Sequence, residues 1–464
     1  MAGSRWADTA EDKAAEVKAK KEKEEKKRQK AEKAAKAEAD RQAALAREQA
    51  AAQSQDADHP PAKRRKLTPE RETNGETENV KLLRFEPSPP TWTPARSVEN
   101  YDKLNDIEEG AYGFVSRAKD LRTNRIVALK RLKLDTTPGP TGLPETGLRE
   151  IQILKDSSHP NIVSLLEVVV NDDPSHISSI FLVLEFVEHD LKSILEDAPE
   201  PFLSSEVKTL LLQLAAGTGY LHEHWILHRD LKTSNLLLNN RGQLKIADFG
   251  MARYVGEPPP PDLTQLVVTL WYRAPELLLG TKTYGSAVDM WSIGCIFGEL
   301  LTGEPLLQGD NEVDELTKIF ELCGIPTDES WPGFRRLPNA RTLRLPSKSN
   351  NSAATGSVIR AKLPLLTTAG SALLSSLLAL NPEKRPTAKE MLQHEYFRQD
   401  PKPKHEAMFP TFPSKAGQER RRRRETPLAP KRGDAVNLGA VDFSGIFAGR
   451  EKEERGGGFS LRMV

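Results

Sequence analysis

Cysteine is nearly missing from this chain. Its 464 residues include two, Cys295 and Cys323, too few for a disulfide framework or a cysteine-based zinc site. Both lie among apolar neighbours, as core residues of a reducing compartment do. Long apolar runs are missing too: none approaches the roughly 18 residues that a membrane span needs, and the N-terminus lacks the apolar centre of a signal peptide. The expectation is a soluble intracellular protein with no membrane contact. A net charge of one sign is also absent, because 67 Lys and Arg stand against 66 Asp and Glu for a formal balance of +1. Such a balance gives no global field that would point to nucleic acid. The charged residues are instead placed unevenly, and that placement divides the chain.

From Glu11 to about Gln53 the sequence is almost entirely Ala, Lys, Glu, Arg and Gln, with no aromatic residue. It cannot bury enough apolar area to offset its ordering entropy, so it reads as disordered or as a marginal solvated helix. Glu/Lys pairs at helical spacing favour transient helix; a coiled coil would need a seam of alanine. Pro60 to Asn100 is rich in Pro, Ser, Thr and charge. Within it Pro61-Ala-Lys-Arg-Arg-Lys66-Leu has the form of a nuclear import signal, the blander reading being a solvated charge run. Thr68-Pro69, Ser88-Pro89 and Thr93-Pro94 are candidate proline-directed phosphorylation sites. Residues 1–100 are thus a charged low-complexity arm.

At Tyr101 the texture becomes that of folded protein. Two apolar strands flank Glu108-Glu-Gly-Ala-Tyr-Gly113, a turn whose backbone amides can approach phosphate closely. Only Gly110 and Gly113 of a G-x-G-x-x-G pattern are kept, with Glu108 in the first place. Ile126-Val-Ala-Leu-Lys130 then offers a strand lysine whose stem packs under the hairpin while its amine reaches phosphate. Its candidate anionic partner is Glu150, in Pro144-Glu-Thr-Gly-Leu-Arg-Glu150-Ile-Gln-Ile-Leu154, an amphipathic helix opened by Pro144. Further strands are expected at Ile162–Val170 and from Ile180, and a helix over about Ser205–His222.

The folded region is organised around His228 to Gly250, HRDLKTSNLLLNNRGQLKIADFG. Its two halves are joined by a hairpin-like segment turning at Asn239-Asn-Arg-Gly242. Phosphoryl transfer needs a carboxylate near the attacking hydroxyl, oxygen ligands for metal, and a cation at the phosphate. Asp230, Asn235, Asp248 and Lys232 supply that set, with the hard oxygens that Mg²⁺ prefers. HRD-L-K-x-x-N followed closely by DFG resembles the signature of protein kinases. The P-x-T-x-x-R-E order of Pro144–Glu150 resembles the cyclin-dependent kinases, and most of all their PITSLRE branch. Glu145 stands where that branch has Ile and Gly147 where it has Ser. Gly147 costs the helix roughly 1 kcal/mol against alanine, which makes it depend more on a partner to order it. The loop Ile107-Glu-Glu-Gly-Ala-Tyr-Gly113 and the ending Gly456-Gly-Gly-Phe-Ser-Leu461 resemble the same branch. The resemblance spans about 101 to 415.

That resemblance implies an α+β bilobal protein kinase fold over 101–397, with a small β-rich N-lobe (101–187) and a larger helical C-lobe (188–397). A flexible basic tail (398–464) would follow. It implies ATP and Mg²⁺ between the lobes. Asp230, Lys232, Asn235 and Thr269 would be catalytic, with Asn235 and Asp248 on metal. Ile107, Val115, Ala128, Lys130, Glu150, Glu185, Val187, Asp190 and Asp248 would form the nucleotide site, Glu185 and Val187 through their backbones at the hinge and Leu184 as gatekeeper. Thr264 would be the activating phosphothreonine, held by Arg149, Arg229 and Arg253. Inhibition at the glycine loop would act through Tyr112 alone, since Ala111 before it cannot be phosphorylated. Val268 and Arg273 imply Ser/Thr-Pro substrates, and Glu276 with Arg385 a buried ion pair. The implied partner is a cyclin, of the L type, on the Pro144–Glu150 helix, and the implied setting is the nucleus, in transcription, pre-mRNA splicing and the cell cycle. Leu337 to about Pro364 would be a loop-rich insertion, polar over Ser347–Ser352, and Met408–Pro413 would dock back on the kinase. The run Arg420–Arg424 reads as a second import signal, a patch contacting RNA or splicing factors, or a solvated stretch. Two other classes stay open, a kinase-fold scaffold and a mitogen-activated or cyclin-independent kinase, although the segment at Thr264 lacks T-x-Y.

Overall fold

The structure, a computed structural model, describes residues 95–109, 113–132, 145–171, 180–198, 200–256, 258–264, 267–343 and 357–412. The expectations placed on residues 1–94 of the N-terminal arm, Tyr112, Pro144, Ser347–Ser352, Arg420–Arg424 and the last residues fall outside them. Residues 95–100, read as the end of that arm, are instead tied to the sheet, with Val170 N donating to Arg96 O at 3.1 Å and Leu121 N to Asn100 O at 3.0 Å.

The N-lobe is a five-stranded antiparallel sheet in the order β1-β2-β3-β5-β4. It is built from β1 (Tyr101–Glu109), β2 (Gly113–Asp120), β3 (Ile126–Leu132), β4 (Leu165–Val170) and β5 (Ile180–Glu185). Helix α1 (Glu145–Asp156) lies between β3 and β4 in the chain. Period-two alternation sends the side chains of β3 to opposite faces. Val127 and Leu129 join Tyr101, Ala118, Val169 and Val183 in a small apolar cluster, while Ala128 and Lys130 face the other way. On that second face Lys130 is flanked by Val115 and Leu182, and Ala128 lies beside Leu184. Register thus carries three sequence-predicted nucleotide contacts, Val115, Ala128 and Lys130, to one surface. Ile107 lies half-buried on β1 at a register shift between Asp106 and Glu108.

Beyond the hinge, β6 (His189–Asp190) leads into α2 (Leu191–Asp197) and α3 (Ser204–Glu223). Four short strands follow: β7 (Ile226–Leu227), β8 (Leu236–Leu238), β9 (Leu244–Ile246) and β10 (Arg253–Tyr254). They pair as β6-β8-β9 and β10-β7. The helical remainder comprises α4 (Pro275–Leu278), α5 (Ala287–Thr302), α6 (Glu312–Cys323), α7 (Ile359–Lys362), α8 (Thr368–Leu377) and α9 (Ala388–Leu392). Helix α5 is buried at every residue from Val288 to Leu300, as befits a helix apolar nearly all round. Arg385 reaches both carboxylate oxygens of Glu276, at 2.6 and 2.7 Å, and lies over the Trp291 ring. Ile153 and Leu154 of α1 belong to the same apolar cluster as the C-lobe helices, so packing continues between the lobes. Cys295 and Cys323 pack in this cluster, and burial pushes both thiols up, Cys323 to about 12. No described helix is long and apolar enough to cross a membrane.

The sequence reading leaves the packed domain at Arg398, and here the structure corrects it. Residues 398–412 remain attached. Lys208 Nζ donates to the carbonyls of Gln399 and Pro401, both at 2.8 Å, and Lys404 N donates to Ser205 O at 3.1 Å. Phe409 is buried, and Phe412 meets His189 and Phe202 edge-on. Docking was expected from Met408 onward. The ten residues before it show neither helical nor strand periodicity, because they are held by backbone groups rather than by an apolar stripe.

Candidate active site

Lys130 Nζ lies 2.6 Å from Glu150 Oε1 and 2.7 Å from Asp248 Oδ1. One cation thus joins a strand, a helix and the DFG segment, the last 118 positions away in the chain. Burial by itself would favour the neutral amine, but the charges of Asp248 and Glu150 outweigh it and raise Lys130, so it stays protonated. Burial likewise opposes the Asp248 carboxylate, yet Lys130 holds that group at about 2. Glu150 is pushed up by burial and by Asp248 against the pull of Lys130. Asp248 keeps 34 % of its side-chain surface open, enough for its second oxygen to meet a ligand.

The catalytic loop is fastened from below. Asp289 on α5 accepts the N–H groups of His228 at 3.0 Å and Arg229 at 2.9 Å, and these bonds hold a backbone that turns left-handed at Arg229, φ 64°. Asp248 has the same rare conformation, φ 62°, in keeping with strain concentrated at functional positions. Above this base Asp230 is fully engaged. Its Oδ1 accepts from Thr269 N at 3.1 Å and Thr269 Oγ1 at 2.9 Å. Its Oδ2 accepts from Asn235 Nδ2 at 3.1 Å and lies 2.9 Å from Lys232 Nζ. Lys232 Nζ also donates to Thr269 Oγ1 at 3.0 Å. The four residues read as catalytic therefore form one hydrogen-bonded set.

The Asn235 amide nitrogen donates to Asp230 twice, once to the backbone carbonyl at 2.8 Å, which fixes the amide's orientation and turns its oxygen outward. Ala247 N donates to Asn235 O at 2.9 Å and so sets Asn235 beside the residue preceding Asp248. A neutral amide oxygen and an ionised carboxylate are hard donors that fit a divalent cation, with phosphate oxygens completing its shell. Phe249, fully buried, packs against His228 with ring centroids 5.0 Å apart, and His228 Nε2 meets Ala247 O at 3.1 Å.

At the hinge the side chains have duties of their own. Glu185 accepts from Ser164 N at 2.8 Å and pairs with Lys245 at 2.8 Å, which leaves its role toward a nucleotide to the backbone. Asp190 caps α2 by accepting from Ser193 N at 2.8 Å, and Val187 is half-buried between β5 and β6. In the segment after DFG, Thr264 is exposed and its carbonyl accepts from Tyr284 OH at 2.7 Å, while Tyr284 OH accepts from Arg229 Nη1 at 3.0 Å. Arg229 is thus one hydroxyl away from Thr264. Arg253 stands near the same Tyr284, whereas Arg149 pairs with Glu145 one turn back on α1. Sequence reasoning missed Tyr284 and Lys245, which carry no local signal, and the capping role of Asp190, whose place just before an apolar helical run is the signal.

A strand lysine held by a helix glutamate, a carboxylate set for a hydroxyl, and paired oxygen donors beside it make up a phosphoryl-transfer site between two lobes. The family model for the protein kinase domain matches residues 101–397. Serine/threonine-protein kinase ppk23 of Schizosaccharomyces pombe is 53 % identical over 327 residues, 70 % of this chain and 79 % of that protein. Cyclin-dependent kinase G-2 of Oryza sativa is 51 % identical over 336 residues, 71 % of this chain and 46 % of its own length. Human cyclin-dependent kinase 11B is 48 % identical over 349 residues, 74 % of this chain and 43 % of its own. This chain therefore belongs to the protein kinase family, as a serine/threonine kinase of the PITSLRE-type cyclin-dependent group. It spans less than half the length of the rice and human relatives.

Proposed function

We propose that this chain, bound to a cyclin of the L type, transfers the γ-phosphoryl of ATP to Ser or Thr followed by Pro, with Mg²⁺ on Asn235 and Asp248. The observation that carries this reading is the set around Asp230. With Thr269 and Lys232 holding the carboxylate, it orients the acceptor hydroxyl and takes its proton, while Lys232 and Lys130 neutralise charge on the phosphate. Bound Mg²⁺ would screen the phosphate oxygens.

The preference for proline follows from Val268. Its backbone is left-handed, φ 67°, and its carbonyl receives Arg273 Nε at 3.2 Å and Nη2 at 3.0 Å. A carbonyl so occupied is a poor acceptor for the N–H of the substrate residue after the phosphoacceptor. Proline has no N–H to lose, whereas an unsatisfied N–H costs about 1–3 kcal/mol. The cyclin reading is supported by Leu148 on α1 and Leu166 on β4, both large, apolar and exposed, and by the relatives' names. Phosphate on Thr264 would recruit Arg229 and Arg253 and compete with Glu145 for Arg149; Tyr112 is proposed as an inhibitory site. The basic cluster at 61–67 supports nuclear import. Work in transcription, splicing and the cell cycle, with RNA or splicing-factor contacts through the charged arms, is the setting the PITSLRE resemblance suggests. Asp230→Asn should abolish phosphorylation of a Ser-Pro peptide by the purified complex while lowering its melting temperature by only about 2–5 °C, since the amide keeps the volume and one accepting oxygen but turns a donor toward Thr269 N or Asn235 Nδ2. Retained transfer would refute the role of Asp230.

A further inference from the structure

Although α5 is buried along nearly its whole length, it carries Asp289, Ser292 and Glu299 at spacings that put them on one face. Each is engaged by a loop of the active site. Asp289 accepts from His228 and Arg229, and Ser292 Oγ donates to Tyr272 O at 3.0 Å. Glu299 accepts from Thr233 Oγ1 at 2.9 Å and from Tyr272 OH at 2.7 Å, and the two hydroxyls lie 3.3 Å apart. Thr233 stands between Lys232 and Asn235 in the catalytic loop. Tyr272 follows Thr269 by three residues and precedes Arg273. All three members of this triad are almost completely buried, at 1, 3 and 2 % exposure for Thr233, Tyr272 and Glu299.

Burying a carboxylate is costly unless its oxygens are bonded, and burial pushes Glu299 up to about 7. An apolar side chain of similar volume would fill the space without that cost. What the carboxylate adds is two directed acceptors, one for each loop. We infer that Glu299 is a positioning residue for phosphoryl transfer: through Thr233 and Tyr272 it clamps the catalytic loop to the segment carrying Thr269 and Arg273, and so sets where the acceptor hydroxyl meets Asp230. The contacts among Thr269, Asp230 and Lys232 tie the same two loops on the cleft side. Glu299 ties them on the core side, so their separation is fixed at two levels.

The inference rests on the kinase reading, which the wild-type rate on a Ser-Pro peptide reports separately. The experiment takes the full chain, purified with the cyclin it retains, and compares Thr233→Ala, Thr233→Ser, Tyr272→Phe and the Thr233→Ala/Tyr272→Phe double variant. Thr233→Ala is expected to lower kcat on the peptide about tenfold, the scale of a small misplacement of reacting groups, with KM for ATP within about twofold. Thr233→Ser, which keeps the hydroxyl, restores the rate. Tyr272→Phe lowers kcat likewise, and the double variant loses less than the product of the two single losses, because both act through one carboxylate. An unchanged kcat in Thr233→Ala, a loss that serine does not restore, a loss falling on KM for ATP, or two losses that simply multiply would overturn the inference. Should Thr233→Ala not fold, Tyr272→Phe set against Thr233→Ser decides in the same way.

Discussion

The two lobes hold their charged groups by different means. In the N-lobe a small apolar cluster fills one face of the sheet, and its polar ties lie near water: Arg96, at 26 % side-chain exposure, reaches Glu167 at 2.7 Å and Asp120 at 3.5 Å. In the C-lobe the charges are buried and held by fixed partners, as in the bidentate Glu276–Arg385 pair and in Asp289, which receives two backbone amides and His222. The buried N-lobe pair, Lys130 with Glu150, also reaches across to Asp248. The difference shows a division of labour. The C-lobe fixes the residues read as catalytic, and the N-lobe supplies a cation whose place depends on where α1 sits.

That contrast can be broken most severely at Arg385. Arg385→Ala leaves Glu276 charged and alone in the core and should cost about 3–5 kcal/mol, read as a lower urea midpoint at unchanged slope. A cost under about 1 kcal/mol would mean that the C-lobe pair is no firmer than a surface one. A smaller effect comes from Glu315 on α6, whose Oε2 accepts from Gly309 N at 2.7 Å while its Oε1 is buried without a hydrogen-bond partner. Burial raises this carboxyl from the ordinary 4.5 to about 7. The fold therefore binds a proton that the open chain releases, so its contribution is complete below pH 4.5 and is lost as pH rises through 7. Glu315→Gln removes the dependence, and its stability relative to wild type should improve by at most roughly 3 kcal/mol between pH 5 and pH 8. Parallel unfolding curves across that range would count against it. Arg96→Ala should matter least, under about 1 kcal/mol, because the pair is partly exposed and screened. Hydrogen exchange confined to β1 and β4 would show its effect as local.

That these side chains would come together was legible because the residues read as catalytic sit in short strings whose spacing phosphoryl transfer would dictate. Asp230, Lys232 and Asn235 fall within six residues, and Lys130 lies on a strand whose register brings Val115 and Ala128 to the same face. The remainder lay in contacts across long sequence distances between residues of ordinary type. Nothing near Tyr284 announces that it bridges Arg229 and Thr264, and nothing near Lys245 that it pairs with Glu185 at the hinge. Two side chains of α5 accept from active-site loops, Asp289 and Glu299, and a carboxylate in a helix this apolar needs a reason. Only the fold names its partners. Periodicity finds the side of an element that packs, and says little about a segment such as 398–407 that is held through its backbone.

That segment bears on where the polypeptide can be cut. The carbonyl of Glu406 presses on Gly242 so closely that a side chain there would collide, and Asn240 Oδ1 receives Phe412 N at 3.1 Å. Shortening the protein to Phe397, where the family match stops, would uncover the greasy seat of Phe409 and Phe412 and free the Lys208 ammonium, now held by two carbonyls. A recombinant kinase trimmed to its homology boundary would be expected to come out of cells sticky and poorly behaved, and one trimmed after Phe412 would not.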